Sequence, residues 1–208
     1  MIKVQTAGDC CTLTLARPDK ANALTETMLE ALALAATEAA TNGAKVLILT
    51  GEGRVFSAGA DLDGMKAGLG LSPAWEAASA AIAAFPGLSI AALNGTLAGG
   101  AMGVALACDL RIAVPSANFF YPVMRLGYRP QPSDPGRLAA LVGPARAKMI
   151  LLAAQKIDAE TALSWGLIDR ICAPEALTDT AMSLAEAALA ADPVHVRTLK
   201  RMTKGETP

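Results

Sequence analysis

The sequence predicts an α/β layered fold, and three observations carry that prediction. Short apolar, β-branched runs alternate with longer stretches of helical spacing. Two of those runs, Val46 to Thr50 and Leu88 to Leu93, each empty into a segment of small residues, as strands do when they leave a buried sheet. Hydrophobic residues make up 53% and charged residues 18% of 208 positions, enough for one sizeable core and too apolar for disorder.

Taken in order, Ile2 to Thr6 and Thr12 to Leu15 read as a hairpin around Gly8-Asp9. Thr25 to Thr41 is predicted helical, with Thr25 as N-cap and Asn42-Gly43 as the stop. Lys45 to Thr50 follows as a buried strand, and a helix opening at Ser72-Pro73 ends before Pro86. Next come a strand over Ser89 to Leu93, a helix from about Gly99 to Ala107, a strand over Leu110 to Val114 and an extended stretch over Asn118 to Tyr121. Pro122 to Gly136 reads as a loop rich in proline and glycine, stiffened by Pro130, Pro132 and Pro135. The remainder is predicted helical over Pro144 to Ala154, Asp158 to Trp165, Pro174 to Ala191, and Pro193 to about Met202. No linker divides the chain, so one domain is expected, with its core reaching about residue 190 and a helical end region after it.

Several functional classes are disfavoured. The formal net charge of −1 provides no global field for nucleic acid or an acidic membrane. The late basic cluster of His195, Arg197, Lys200, Arg201 and Lys204 reads as a solvated helix face. Ala77 to Ala107 contains no charge, but Pro86-Gly87, Asn94-Gly95 and Gly99-Gly100 cut it into the elements of an α/β protein rather than a membrane span. Four cysteines without a C-x-x-C pair, and no secretory leader in Met1 to Leu15, point to reduced thiols and a cytoplasmic setting. A single histidine speaks against a histidine-rich metal site and against a Ser-His-Asp triad. Gly51-Glu-Gly-Arg-Val-Phe56 imitates a dinucleotide fingerprint, but Phe56 stands where the third glycine belongs and no helix follows.

Two glycine-alanine segments carry the chemistry. Phe56-Ser-Ala-Gly-Ala-Asp-Leu62 and Asn94-Gly-Thr-Leu-Ala-Gly-Gly-Ala-Met-Gly103 each leave a strand, and the second sets Gly99 and Gly100 at a helix start. Small residues let a ligand approach the backbone, and first-turn N–H groups favour negative charge. Two such loops side by side aim two donors at one oxygen, which is oxyanion-hole geometry.

With their flanking residues, these segments resemble the crotonase, or enoyl-CoA hydratase/isomerase, superfamily. Four blocks in family order carry the resemblance: Leu13 to Leu24, Val46 to Leu62, Ile90 to Ile112, and Arg137 to Gly143 with Ala162 to Ile168. It implies a spiral of ββα units with C-terminal helices, an acyl-CoA thioester substrate of the kind met in fatty acid metabolism, and a homotrimer or dimer of trimers. It also implies that the N–H groups of Ala60 and Gly100 hold the thioester oxygen, and that Lys20, Ala58, Asp61 and Leu62 lie along the CoA. Neither a metal nor a separate cofactor is expected.

The departures are as specific as the matches. The two hydratase glutamates should fall at Gly103 and Val123, neither of which can move a proton. At the positions of alternative catalytic groups this chain carries Pro130 and Gln131, so Val123 and Gln131 are expected to line the acyl pocket. Asp134 is the nearest carboxylate and the candidate proton-transfer group, although Ser133-Asp-Pro-Gly136 is also strong turn chemistry. Tyr121, Tyr128 and Arg129 are further polar neighbours, for which packing or solvent is the simpler role, and Asp109 reads as structural. The sequence also ends sooner after His195 than full-length family members do. The reaction expected is isomerisation, decarboxylation or thioester hydrolysis rather than two-glutamate hydration; the alternative is a noncatalytic acyl-CoA binder or partner subunit.

Overall fold

A computed structural model describes residues 1–203, 205 and 206; Lys204, the last of the basic cluster, lies outside the described residues. Strands β1 (Ile2–Ala7) and β2 (Cys10–Leu15) form the expected antiparallel hairpin. Strands β3 (Val46–Gly51), β4 (Leu88–Leu93), β6 (Leu110–Ala113) and β9 (Arg170–Ile171) then add in parallel, in the order β1-β2-β3-β4-β6-β9. The β3 and β4 runs are buried along nearly their whole length, as strands covered on both faces must be. Adjacent Cys10 and Cys11 point to the two covers: Cys10 Sγ lies 4.0 Å from Met182 of helix α8 (Leu177–Ala190), while Cys11 lines a small cavity together with Ala35 and Ala39 of helix α1 (Glu26–Thr41).

A second, smaller sheet gives the site its wall. In it β7 (Asn118–Phe120) pairs in parallel with β5 (Leu97–Ala98) and antiparallel with β8 (Ile157–Asp158). Helix α1 starts where expected, Thr25 Oγ1 accepting from Met28 N at 3.2 Å, and packs on α3 (Ala74–Ala83).

Four expectations change. The segment over Pro122 to Gly136 is not one loop: helix α5 (Val123–Leu126) fills its start, stopped by Gly127 at φ 72°, and helix α6 (Asp134–Leu151) begins inside its end. The helix foreseen from Pro144 is the second half of α6, which breaks at Gly143 (φ 78°, ψ 158°) because Pro144 cannot continue the preceding turn. The helix after the second glycine segment, α4 (Ala101–Leu106), is shorter than expected. Finally, the basic cluster is not uniformly solvated. On α9 (Pro193–Thr203), Lys200 Nζ reaches Asp109 Oδ2 at 2.7 Å and the Gly87 carbonyl at 2.9 Å, with its side chain only 11% exposed. Asp109 is structural as read, its Oδ2 also accepting from Ser89 N and Oγ.

Candidate active site

The first glycine segment is held by an asparagine inconspicuous in the sequence. Asn22, fully buried and in the left-handed region at φ 52°, donates from Nδ2 to the carbonyls of Glu52 and Val55 at 2.9 Å each. Its own carbonyl accepts from Ser57 Oγ at 2.7 Å. Beyond Ser57 the chain forms one parallel bridge to Leu24: Leu24 N donates to Gly59 O at 2.7 Å and Asp61 N to Leu24 O at 2.9 Å. Such a bridge uses the groups on either side of Ala60 and turns the Ala60 N–H the other way.

The second segment comes to meet it. Gly99, at φ 55°, donates its N–H to Phe120 O at 3.0 Å, and Gly100 is the residue before α4. Among the described residues, neither Ala60 N–H nor Gly100 N–H has an acceptor. Both residues line a single cavity of about 320 Å³. Trp75 packs beneath Gly100, where a Cβ would stand 2.9 Å from its ring, and its Nε1 donates to Leu69 O at 2.9 Å. Trp75 lines the cavity too, and nothing but its helical spacing marks it in the sequence.

The same cavity gathers six of the nine sequence-proposed residues: Ala58, Ala60, Leu62, Gly100, Val123 and Gln131. Three lie off its wall. Lys20 is exposed at the end of a short 3-10 turn, Pro18–Lys20. Asp61 caps helix α2 (Leu62–Lys66), accepting from Gly64 N at 3.0 Å and from Arg17 Nη1 at 2.7 Å; the cap and the guanidinium hold its carboxyl below the usual carboxylate range. Asp134 is the third.

Asp134 is neither a surface turn residue nor a wall residue. It opens α6 at 1% exposure, directly against α4: a Cβ on Gly103 would stand 2.6 Å from Asp134 Oδ1 and 2.9 Å from Oδ2. Its Oδ2 accepts from the Tyr121 hydroxyl at 2.8 Å, while Oδ1 has no hydrogen-bond partner among the described residues. Burial pushes the Asp134 carboxyl up to about 6, the Tyr121 bond and Arg137 opposing and Glu76 adding to the rise. Tyr121, itself 2% exposed, lines the cavity, and burial beside Asp134 pushes its phenol far above the ordinary value. Among the described residues, the ionisable side chains on the wall are Tyr121, Tyr128 and Arg129, with no carboxylate.

Residues 5–207 match the family described as enoyl-CoA hydratase/isomerase. The chain belongs to the enoyl-CoA hydratase/isomerase family. It is 36% identical over 171 residues to the Mycobacterium tuberculosis protein named probable enoyl-CoA hydratase, covering 82% of this chain and 70% of that one. Over 202 residues it is 34% identical to the short-chain-enoyl-CoA hydratase of Clostridium acetobutylicum, covering 93% of this chain and 77% of that one. The enoyl-CoA hydratase structure from Bacillus anthracis superposes with a TM-score of 0.90 at 31% identity, covering 98% of this chain and 82% of that one. The crotonase fold expected from the four sequence blocks is thus the fold observed, and the glycine segments sit within the family's matched length.

Proposed function

We propose that this enoyl-CoA hydratase/isomerase family member binds an acyl-CoA thioester and polarises its carbonyl between the N–H groups of Ala60 and Gly100. One observation carries the reading: these two amides, brought from distant segments, lack a protein acceptor among the described residues and border one largely apolar cavity. A thioester oxygen placed there gains negative charge as an enolate forms, and fixed donors stabilise that charge without reorganising; one such donor is typically worth about 2.7–4 kcal/mol. Ala58 and Leu62 border the same cavity and suit the pantetheine arm, with Lys20 outside as a partner for CoA phosphate. Asp61 would contribute through its backbone, because its carboxylate is already engaged by Arg17 and Gly64.

The reaction class follows from the missing carboxylates. Hydration requires a group to activate water, and Gly103 and Val123 offer none, so isomerisation, decarboxylation or thioester hydrolysis is the proposed chemistry. A wall without a carboxylate also favours a second reading, a noncatalytic acyl-CoA binder or partner subunit. We extend the reading to a homotrimer or dimer of trimers in a cytoplasmic, reducing setting, supported by four free cysteines and by exposed Met124, Leu126 and Leu152; light scattering on the purified protein tests the assembly. Among the described residues no helix is long and apolar enough to cross a membrane.

A panel of saturated, 2-enoyl, 3-enoyl, malonyl-type and aryl CoA thioesters, labelled with ¹³C at the carbonyl, tests the function. Infrared spectra are expected to show the bound C=O stretch at lower frequency than the free one, with mass spectrometry and chromatography reading the product. A shifted stretch without turnover of any thioester selects the binder. Binding without a shift, or no binding, rejects the proposed hole.

A further inference from the structure

The space beside Gly103 is not vacant: it holds the carboxylate of Asp134, brought in from another helix. A side chain at 103 would force the Asp134 carboxylate to move, since even a methyl at 103 would sit 2.6 Å from Asp134 Oδ1. A carboxylate this buried, with one oxygen unpartnered, is expensive to keep for packing alone, because an apolar residue of similar size carries no desolvation cost. Its Oδ2 accepts from the Tyr121 hydroxyl, and Tyr121 borders the same cavity as Ala60 and Gly100.

We propose that Tyr121 and Asp134 form the proton relay of this site, with the Tyr121 hydroxyl exchanging the substrate's α-proton and Asp134 storing it. The inference rests on the enolate reading above. In the forward step the thioester's α C–H bond breaks and its proton bonds to the Tyr121 oxygen. The phenolic proton passes at the same time to Asp134 Oδ2. The C–H electron pair moves into the carbonyl, whose oxygen is held by Ala60 and Gly100. No phenolate stands alone, in keeping with the raised phenol. Running backwards, the neutral Asp134 acid returns the proton through Tyr121 to the α- or the γ-carbon, which is the redistribution an isomerase needs. Tyr121 is the catalytic residue and Asp134 the positioning residue behind it.

The pair's charge environment is complete enough to give a pH signature. Asp134 faces Tyr121 from the segment after β7, Glu76 from α3 and Arg137 from its own helix, while α4 contributes only Gly103. The relay starts from the ionised carboxylate, so exchange rises with pH through about 6 and is level above it.

The experiment is deuterium uptake at the α-carbon of saturated acyl-CoA thioesters in D₂O, read by mass spectrometry, with binding measured separately by calorimetry. Wild type is expected to exchange. Tyr121→Phe and Asp134→Asn are expected to bind the thioester and exchange about 10²–10⁴-fold more slowly, Asp134→Asn also losing the rise near pH 6. Should Asp134→Asn fail to fold, Tyr121→Phe decides alone, since it keeps the buried ring. Exchange at the wild-type rate in Tyr121→Phe overturns the relay. A wild type that binds thioester without exchange overturns it too and leaves the acyl-CoA reading standing; absence of binding brings down both.

Discussion

Gly59 and Gly99 meet backbone to backbone: a Cβ on Gly99 would lie 3.5 Å from Gly59 Cα, and one on Gly59 would lie 2.9 Å from the Ala98 carbonyl oxygen. This contact joins the two segments that carry Ala60 and Gly100. Gly59 also sits at φ 99°, where an L side chain is strained. Gly59→Ala is expected to destabilise the protein by roughly 1–3 kcal/mol and to weaken acyl-CoA binding, because the nearby atom is backbone and cannot swing away. Urea midpoints and calorimetric titration check both effects; unchanged affinity would mean the segments tolerate separation.

Gly100→Ala tests a different constraint. Its φ of −60° suits alanine, so the only obstacle is the Trp75 ring at 2.9 Å. Overpacking is expected to cost about 1–3 kcal/mol. Trp75→Leu in the same chain is expected to recover part of it, the two sites being in contact and therefore non-additive. Thermal melts of the double-mutant cycle read this directly, and simple additivity would contradict the packing described.

Asp134 has a thermodynamic signature apart from any turnover. Its carboxyl is raised to about 6 in the fold, against about 3.9 for an unfolded aspartate. Between those values the native state binds more protons than the unfolded state, so stability falls as pH rises through the window and is level above it. Asp134→Asn removes that fall. Its stability relative to wild type is expected to increase by on the order of 2–3 kcal/mol between pH 4 and pH 7. Denaturant titrations of both proteins across that range check it; a constant difference would place the titration elsewhere.

Thiol chemistry probes the two covers of the large sheet. Burial raises the thiols of Cys10 and Cys11 and pushes Cys108 up to about 12, whereas Cys172 is partly exposed. At pH 8 an aromatic disulfide reagent is expected to modify Cys172 first and to reach the other three only on unfolding. Fast native labelling of all four would mean that α1 or α8 opens readily.

The sheet was readable because its central strands are continuous apolar runs bounded by Gly, Asn and Pro, and α1 because Thr25 and Asn42-Gly43 bracket its periodicity. Two-residue strands such as β5, β8 and β9 are too short to show a period; partners in the fold define them, not propensity. The glycine segments were legible as small-residue loops leaving strands, because the apolar runs before them end abruptly at Gly51 and Asn94. Asp134 was legible as the nearest carboxylate but not as a buried one. Ser-Asp-Pro-Gly favours a turn locally, and only the packing of α6 on α4 turns the side chain inward toward Gly103. Asn22 and Trp75 support the site through contacts across tens of residues, which no local pattern encodes.

The donors at Ala60 and Gly100 are main-chain atoms. A codon change can erase a carboxylate or a phenol in one step, but only proline deletes an amide hydrogen. The two glycine-alanine segments can therefore persist through mutational drift while the groups around them come and go. In this chain position 103 carries no side chain, and the carboxylate of Asp134 occupies the space beside it. Under the proposed reading, chemistry in such a scaffold rests on a fixed backbone cradle and can be revised one neighbour at a time.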